Sequence, residues 1–187
     1  MNQVSANQRF KGAQPYRVSA DNYLKLVDAG GFGDAHVELV EGELVEMSPS
    51  HSKHGKMVGK VYSSLAAVYS QLGCEIFIDT IVELSTLTLR APDICVTDSP
   101  TDDQKNLPAS AILLAVEISD TTLAEDIGRK RIDYASAGIR HYWVVDVEGR
   151  RVHCYADPQG ADYAAIRVVP FGEGVEVPGA EGAIIVA

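Results

Sequence analysis

The chain has 187 residues, 46% of them apolar, and a formal net charge of −10. That length and apolar content suffice for one hydrophobic core and call for no second domain, while the acidic balance disfavours non-specific adhesion to nucleic acid or anionic membrane, so a nucleic-acid role needs a local basic patch. The longest strongly apolar stretch, around residues 109–118, is too short to span a bilayer, and no basic segment followed by an apolar core opens the chain, so the expected setting is cytoplasmic and away from the membrane.

Residues 1–14 are polar and aperiodic and read as a flexible arm, with a single domain expected over 15–187. Within 19–29, Ser19 offers an N-cap, Tyr23, Leu26 and Val27 an apolar stripe, and Gly30-Gly31 a stop, which predicts a short helix. VELVEGELVEM places Glu41-Gly42 between two β-prone runs and predicts a hairpin over 37–47. A first long helix follows, with Val58, Val61, Tyr62, Leu65, Val68, Tyr69 and Leu72 at helical spacing and Gly73 at its end. At about 100° per residue, His54 falls in that stripe and His51 on its edge, so both histidines are expected to face the sheet.

Residues 75–84 and 92–97 read as strands, and ILLAVEIS (112–119) as a strand covered on both faces. A second long helix is predicted over 123–137, opened by a Thr122/Glu125 capping box and closed by Gly138. HYWVVDV and RVHCYA form two strands around Glu148-Gly149, and the tail from Ala161 reads as β-structure with glycine-rich turns. The order predicts an α/β (α+β) fold, a mixed sheet flanked by helices. Cys74, Cys95 and Cys154 are odd in number and lack C-x-x-C spacing, which indicates reduced thiols and neither disulfides nor a zinc finger. Lys53, Lys56 and Lys60, and Arg129, Lys130 and Arg131 with Arg140, are candidates for a local basic patch or simply solvated faces.

One residue is out of place. Glu117 lies in the middle of the buried strand, on one face with Ala115 and Ser119, where a carboxylate is costly unless paired or metal-bound. Asp93 stands at the head of PDICVT behind Pro92, and if these two strands pair, the two acids meet. Converging carboxylates raise one pKa or select a divalent cation, and an oxygen-only site favours Mg²⁺ or Mn²⁺ over zinc. The plainer alternative is an acid that ends its strand or pairs with an arginine. Lys130 projects into the middle of the stripe made by Leu123, Ile127, Tyr134 and Ala137. Either it snorkels to water, or its ammonium reaches the carboxylates to position an attacking water or stabilise charge developing at phosphorus. Asp126, four residues earlier, is placed to hold it as a helical ion pair.

Taken together and in this order, VELVEGELVEMSPSHSKHG, RAPDICVTD, LAVEISDTT and DIGRKRIDYASAGIRHYWVVDVEGRRVHCY resemble the restriction-endonuclease family known as domain of unknown function 820, within the PD-(D/E)XK nuclease superfamily. The resemblance runs from about Tyr16 to the end. It implies a restriction-endonuclease-like core with an extra N-terminal hairpin and extra C-terminal strands. It also implies a Mg²⁺- or Mn²⁺-dependent endonuclease acting on DNA, and a homodimer in which each subunit cuts one strand. Asp93 and Glu117 match the family's metal ligands, and Glu38 resembles an additional upstream acid. The superfamily's E-x-K lysine would fall at 119, where this chain has Ser119, so Lys130 is read as a relocated lysine and Ser119 as a possible auxiliary group. His54 is read either as a phosphate- or water-orienting group or as a core histidine; Tyr142, Trp143 and Asp146 also match the family, with the aromatic pair read as core. The rival reading is a catalytically inactive member that keeps the fold as a nucleic-acid-binding or protein-interaction module.

Overall fold

In the computed structural model, residues 14–48, 51–101 and 106–187 are described, so nearly all of the expected N-terminal arm lies outside them. Two sheets organise the rest. The six-stranded sheet has the order β11-β10-β9-β8-β6-β3, from Asp162–Pro170, Arg151–Gln159, His141–Asp146, Ile112–Ser119, Ile94–Thr97 and Ile76–Ile78. Only β8 and β9 run parallel, and every other pairing is antiparallel. The five-stranded sheet has the order β2-β1-β5-β4-β7, from Glu43–Glu46, Val37–Val40, Thr88–Arg90, Val82–Ser85 and Leu107–Pro108. A ribbon of β12 (Gly174–Glu176) and β13 (Ala183–Ile185) completes the strands.

β8 is buried along its whole length because both faces of its sheet are covered. On one face the long helix α2 (Ser52–Tyr69) lays Met57, Val61, Leu65 and Tyr69 over Val96, Leu114, Val116 and Trp143, and the β12–β13 ribbon closes the same layer. On the other, Cys95, Ala115, Tyr142 and Val144 meet Val82 and Leu107 of the five-stranded sheet and the helical segment after β8. Each large apolar side chain buried here is worth about 1.5–3 kcal/mol.

The capped helix α1 (Ala20–Asp28) forms as expected, with Ser19 Oγ accepting from the Asn22 N–H at 3.3 Å. It buries Ala20 and Tyr23 and leaves Leu26 and Val27 largely exposed, because it packs by its N-terminal half. The hairpin is joined by Glu41 and Gly42 at φ 50° and 80°, the backbone of a two-residue primed turn. The single strand expected over 75–84 is instead two strands in different sheets. The chain turns between β3 and β4 at Asp79, whose φ is 51° and whose N–H bonds the Asp93 carbonyl at 3.3 Å. β5 and β7, three and two residues long, are too short to leave a periodic trace.

The second long helix also differs. It is broken into α3 (Leu123–Glu125), a π-helical turn over Asp126–Lys130, and α4 (Arg131–Ser136). The Thr122/Glu125 capping box does not form, because the Thr122 hydroxyl donates instead to Asp126 Oδ2 at 2.6 Å. His51 is exposed at the N-terminus of α2 and does not face the sheet. Among the described residues no helix is long and apolar enough to cross a membrane.

Candidate active site

Pairing between β6 and β8 sets Ile94 opposite Val116, and the same antiparallel register carried one residue further brings Asp93 opposite Glu117. That register sets the two residues across from one another on neighbouring strands, each carboxylate held by different partners. Asp93 sits just ahead of β6, where its Oδ2 accepts from the Ile118 N–H at 2.6 Å and contacts His54 Nε2 at 3.1 Å. His54 comes from the first turns of α2 and is half-buried. Its bond to Asp93 outweighs desolvation and holds the imidazole pKa above its ordinary value.

Glu117 points to the opposite layer. Its side chain is 4% exposed; Tyr134 donates a hydroxyl to Oε1 at 2.8 Å, and the Lys130 ammonium lies 2.9 Å from Oε2. The π turn explains how Lys130 gets there. Its wider winding buries Asp126 and Lys130 together, with the Lys130 ammonium 3.5 Å from Asp126 Oδ1 and the Asp126 carbonyl accepting from the Tyr142 hydroxyl at 2.9 Å. Single-turn π-bulges of this kind are frequent at functional sites. Burial opposes the charge on Lys130, but the Glu117, Glu38 and Asp126 carboxylates outweigh it and keep the ammonium above its ordinary range.

Burial pushes the Glu117 carboxyl up to about 8; Lys130 pulls against this, and Asp93, Asp126 and Glu38 add to it. A carboxyl raised in the folded state gives stability that is present in full below its unfolded value and lost as pH rises through the folded one. Metal-free protein is therefore expected to lose thermal stability relative to Glu117→Gln as pH climbs from about 5 to about 9. Melting curves of the two proteins across that range check it, and parallel curves would contradict it.

Glu38, the additional upstream acid of the resemblance, is held by an arginine. Its Oε2 receives Arg90 at 2.7 Å and its Oε1 the Ala91 N–H at 3.1 Å. Arg90 also bonds Asp133 Oδ2 at 2.7 Å, so it ties β1 and β5 to α4. The exposures of Arg90, Glu38 and Asp133 are 2%, 7% and 9%. Removing the cation strands the buried Glu38 carboxylate, while Asp133 keeps Arg129 at 2.9 Å, so Arg90→Leu is expected to cost about 3 kcal/mol of unfolding free energy, measured by urea denaturation.

Ser119 is buried on the Glu117 face, and its hydroxyl has no hydrogen-bond partner among the described residues. The clustered basic residues are largely consumed by acids. Lys53 pairs with Asp120 and Glu148, Arg129 with Glu41 and Asp133, and Arg140 with Asp98. Arg90 is a neighbour of the acids that sequence reasoning passed over, and Tyr134 one that it placed only in the apolar stripe of the helix. An arginine three residues before Asp93 inside an apolar run was the available signal for one, and a tyrosine four residues beyond Lys130 for the other.

The donor set suits a hard divalent ion. Both bonds to Asp93 fall on Oδ2, which leaves Oδ1 without a hydrogen-bond donor among the described residues. Glu117 is a buried carboxylate whose charge is disfavoured until a cation neutralises it. No group of three or more His, Cys, Asp or Glu forms a metal-holding cluster among the described residues. Mg²⁺ needs only one or two carboxylates, with water and substrate phosphate filling the other positions.

A family model described as "Putative restriction endonuclease" (Uma2) matches residues 20–185. Among solved structures, the chain is similar to "a putative nuclease belonging to DUF820" from Anabaena variabilis, at 20% identity over 86% of this chain and 89% of that one, with a TM-score of 0.66. No curated protein matches. The expected restriction-endonuclease-like core is borne out by that likeness in fold.

Proposed function

The chain belongs to the Uma2 family of restriction-endonuclease type, and from that premise we propose that it hydrolyses phosphodiester bonds of DNA with Mg²⁺ or Mn²⁺ held by Asp93 and Glu117. The observation that carries this reading is Glu117 itself, a fully buried carboxylate fixed on one oxygen by Tyr134 and on the other by Lys130, in register with Asp93. A structural ion pair alone has no need of a second acid at that place, and its burial costs more than an apolar pair would.

The protein's own groups have separable tasks. Asp93 offers Oδ1 to the ion, while the Ile118 N–H and His54 fix Oδ2 and so set the direction of the carboxylate. Tyr134 holds Glu117 against rotation. Lys130, at 2.9 Å from Glu117, takes the place of the lysine that the superfamily pattern would set at 119; its Nζ–H donates to the attacking water and faces the negative charge that grows on the phosphoryl oxygens. Glu38 acts through Arg90, bracing the strand end that leads into Asp93. A divalent ion bound there supplies Lewis acidity to the phosphodiester and to the water. Cutting both strands of a duplex is the work of a symmetric pair of subunits, the commonest soluble assembly.

The test is cleavage of supercoiled plasmid by the purified protein with Mg²⁺ or Mn²⁺, and with EDTA as the control. Nicking that EDTA abolishes is expected. A protein inert on plasmid and on single-stranded DNA with either metal would favour the non-catalytic module instead.

A further inference from the structure

A cleft of about 240 Å³ lies between the end of α1, the turn that follows it, and the turn from β3 to β4. Its polar end adjoins the candidate active site. Asp79, in the β3–β4 turn, donates its backbone N–H to the Asp93 carbonyl at 3.3 Å, and Ala91, two residues before Asp93, also lines the cleft. Both carboxylates have open surface, with side-chain exposures of 52% for Asp79 and 23% for Asp93. The other end is apolar. Val27 and Phe32 line it, and Phe32 lies 5.4 Å from the ring of Tyr23, whose hydroxyl donates to the Val37 carbonyl and so fixes that wall. A Cβ added at Gly30 or Gly33 would meet no atom within 4 Å, so the turn presents open backbone there.

The polar end has a hydrogen-bonding pattern. Asp79 Oδ2 and His36 Nε2 are 3.7 Å apart, too far for a hydrogen bond, and no donor reaches the Asp79 carboxylate among the described residues. Two acceptor oxygens therefore stand beside one ring N–H, all of them accessible. Guanine carries the complement along one edge: the O6 acceptor, then the N1–H and N2–H donors. Adenine, cytosine and thymine each present a single donor group on that edge, so only guanine meets both oxygens of the carboxylate. The volume suits one heterocycle, being below the about 300–1,000 Å³ of clefts that bury drug-sized molecules.

We propose that this cleft takes an unpaired guanine of the strand being cut, its ring against Phe32 and Val27, its N1–H and N2–H donating to Asp79 and its O6 accepting from His36. The inference rests on the nuclease reading of Asp93 and Glu117, and it names the substrate class: single-stranded DNA, or a duplex from which that base is swung out. A guanine inside a duplex spends the same edge on its cytosine and cannot enter. Stacking on an aromatic wall holds any base, and the edge contacts select among them. With a net charge of −10 the chain has little general attraction for phosphates, so contacts to a base carry more of the binding.

The test is fluorescence anisotropy in Ca²⁺ with short labelled thymidine strands that carry one central guanine, inosine or adenine. The guanine strand is expected to bind about tenfold tighter than the adenine strand, with the inosine strand between them because it lacks the N2–H donor. Asp79→Asn, whose side chain tolerates the local φ of 51°, is expected to bring that ratio to about one. The ratio is the readout, because a variant that merely loosens the fold weakens all three strands alike. Ala35→Leu, which fills the cleft from its exposed wall and leaves Asp79 and His36 in place, is expected to abolish the ratio as well. Equal affinity for the three strands in the wild type, no binding of any of them, or a ratio unchanged in Asp79→Asn overturns the guanine site. Binding of dGMP as tight as that of the guanine strand would make the cleft a free-nucleotide site and overturn its place on the strand. Mapping the cuts in the same strands with Mn²⁺ separates the two readings. Cuts placed without regard to guanine keep the nuclease and remove the guanine site, whereas a guanine ratio without any cutting keeps the guanine site and removes the nuclease.

Discussion

Glu117→Gln is expected to reduce metal-dependent cleavage by about a thousandfold, the upper range for removing one principal electrostatic group from a preorganised site. The amide keeps an oxygen for the Tyr134 hydroxyl and nearly the same volume, so the packing around the 4%-exposed side chain persists. Glu117→Ala is a poorer experiment. It leaves the Tyr134 hydroxyl and the buried Lys130 ammonium facing a cavity, and breaking one side of a buried pair costs about 3–5 kcal/mol. Loss of activity in the alanine variant would then confuse unfolding with chemistry. Nicking rates measured alongside melting curves of the glutamine variant answer the question, and wild-type cleavage by a well-folded Glu117→Gln protein would remove Glu117 from the site.

Lys130→Met is expected to lower the cleavage rate about a hundredfold and to move the pH–rate profile to higher pH. The direction follows from the pair. Lys130 is the group that pulls the Glu117 carboxyl down against its burial, so without the ammonium that carboxyl climbs above about 8 and is freed for metal only in more alkaline solution. The stability cost is smaller than for Glu117→Ala, because an unpaired carboxylate can take up a proton, whereas a buried lysine next to Asp126 and Glu38 holds its own. A variant that cuts normally with an unmoved profile would leave Lys130 as a structural counter-ion only.

The parts of this site that were legible in the sequence are those where a charge interrupts an apolar pattern. Glu117 breaks the run of β8 and Lys130 breaks the stripe of the following helix; both are buried, which for Lys130 is the second of the two readings its position allowed. The register between Asp93 and Glu117 could be posed only as a condition, because which strands pair is a long-range fact. The π turn was not legible, since its hydrophobic trace over five residues cannot be told from an α-helix. Projection at the α-helical angle found Lys130 but gave no sign that Asp126 would be buried with it. Glu38 shows the converse limit. Its place in a hairpin strand was clear, yet its partner Arg90 lies 52 positions away, on a three-residue strand that periodicity cannot detect.

The most direct test of the central claim, that Asp93 and Glu117 share one divalent ion, is a calorimetric Mn²⁺ titration of the wild type beside Asp93→Asn. Asp93→Asn keeps the carbonyl that accepts from the Ile118 N–H, so the strand end stays in place while the charge is lost. One Mn²⁺ site in the wild type, weakened at least about tenfold in Asp93→Asn, is the predicted result. Equal Mn²⁺ affinity in the two proteins, or none in the wild type at a pH above about 8 where Glu117 is ionised, would contradict it.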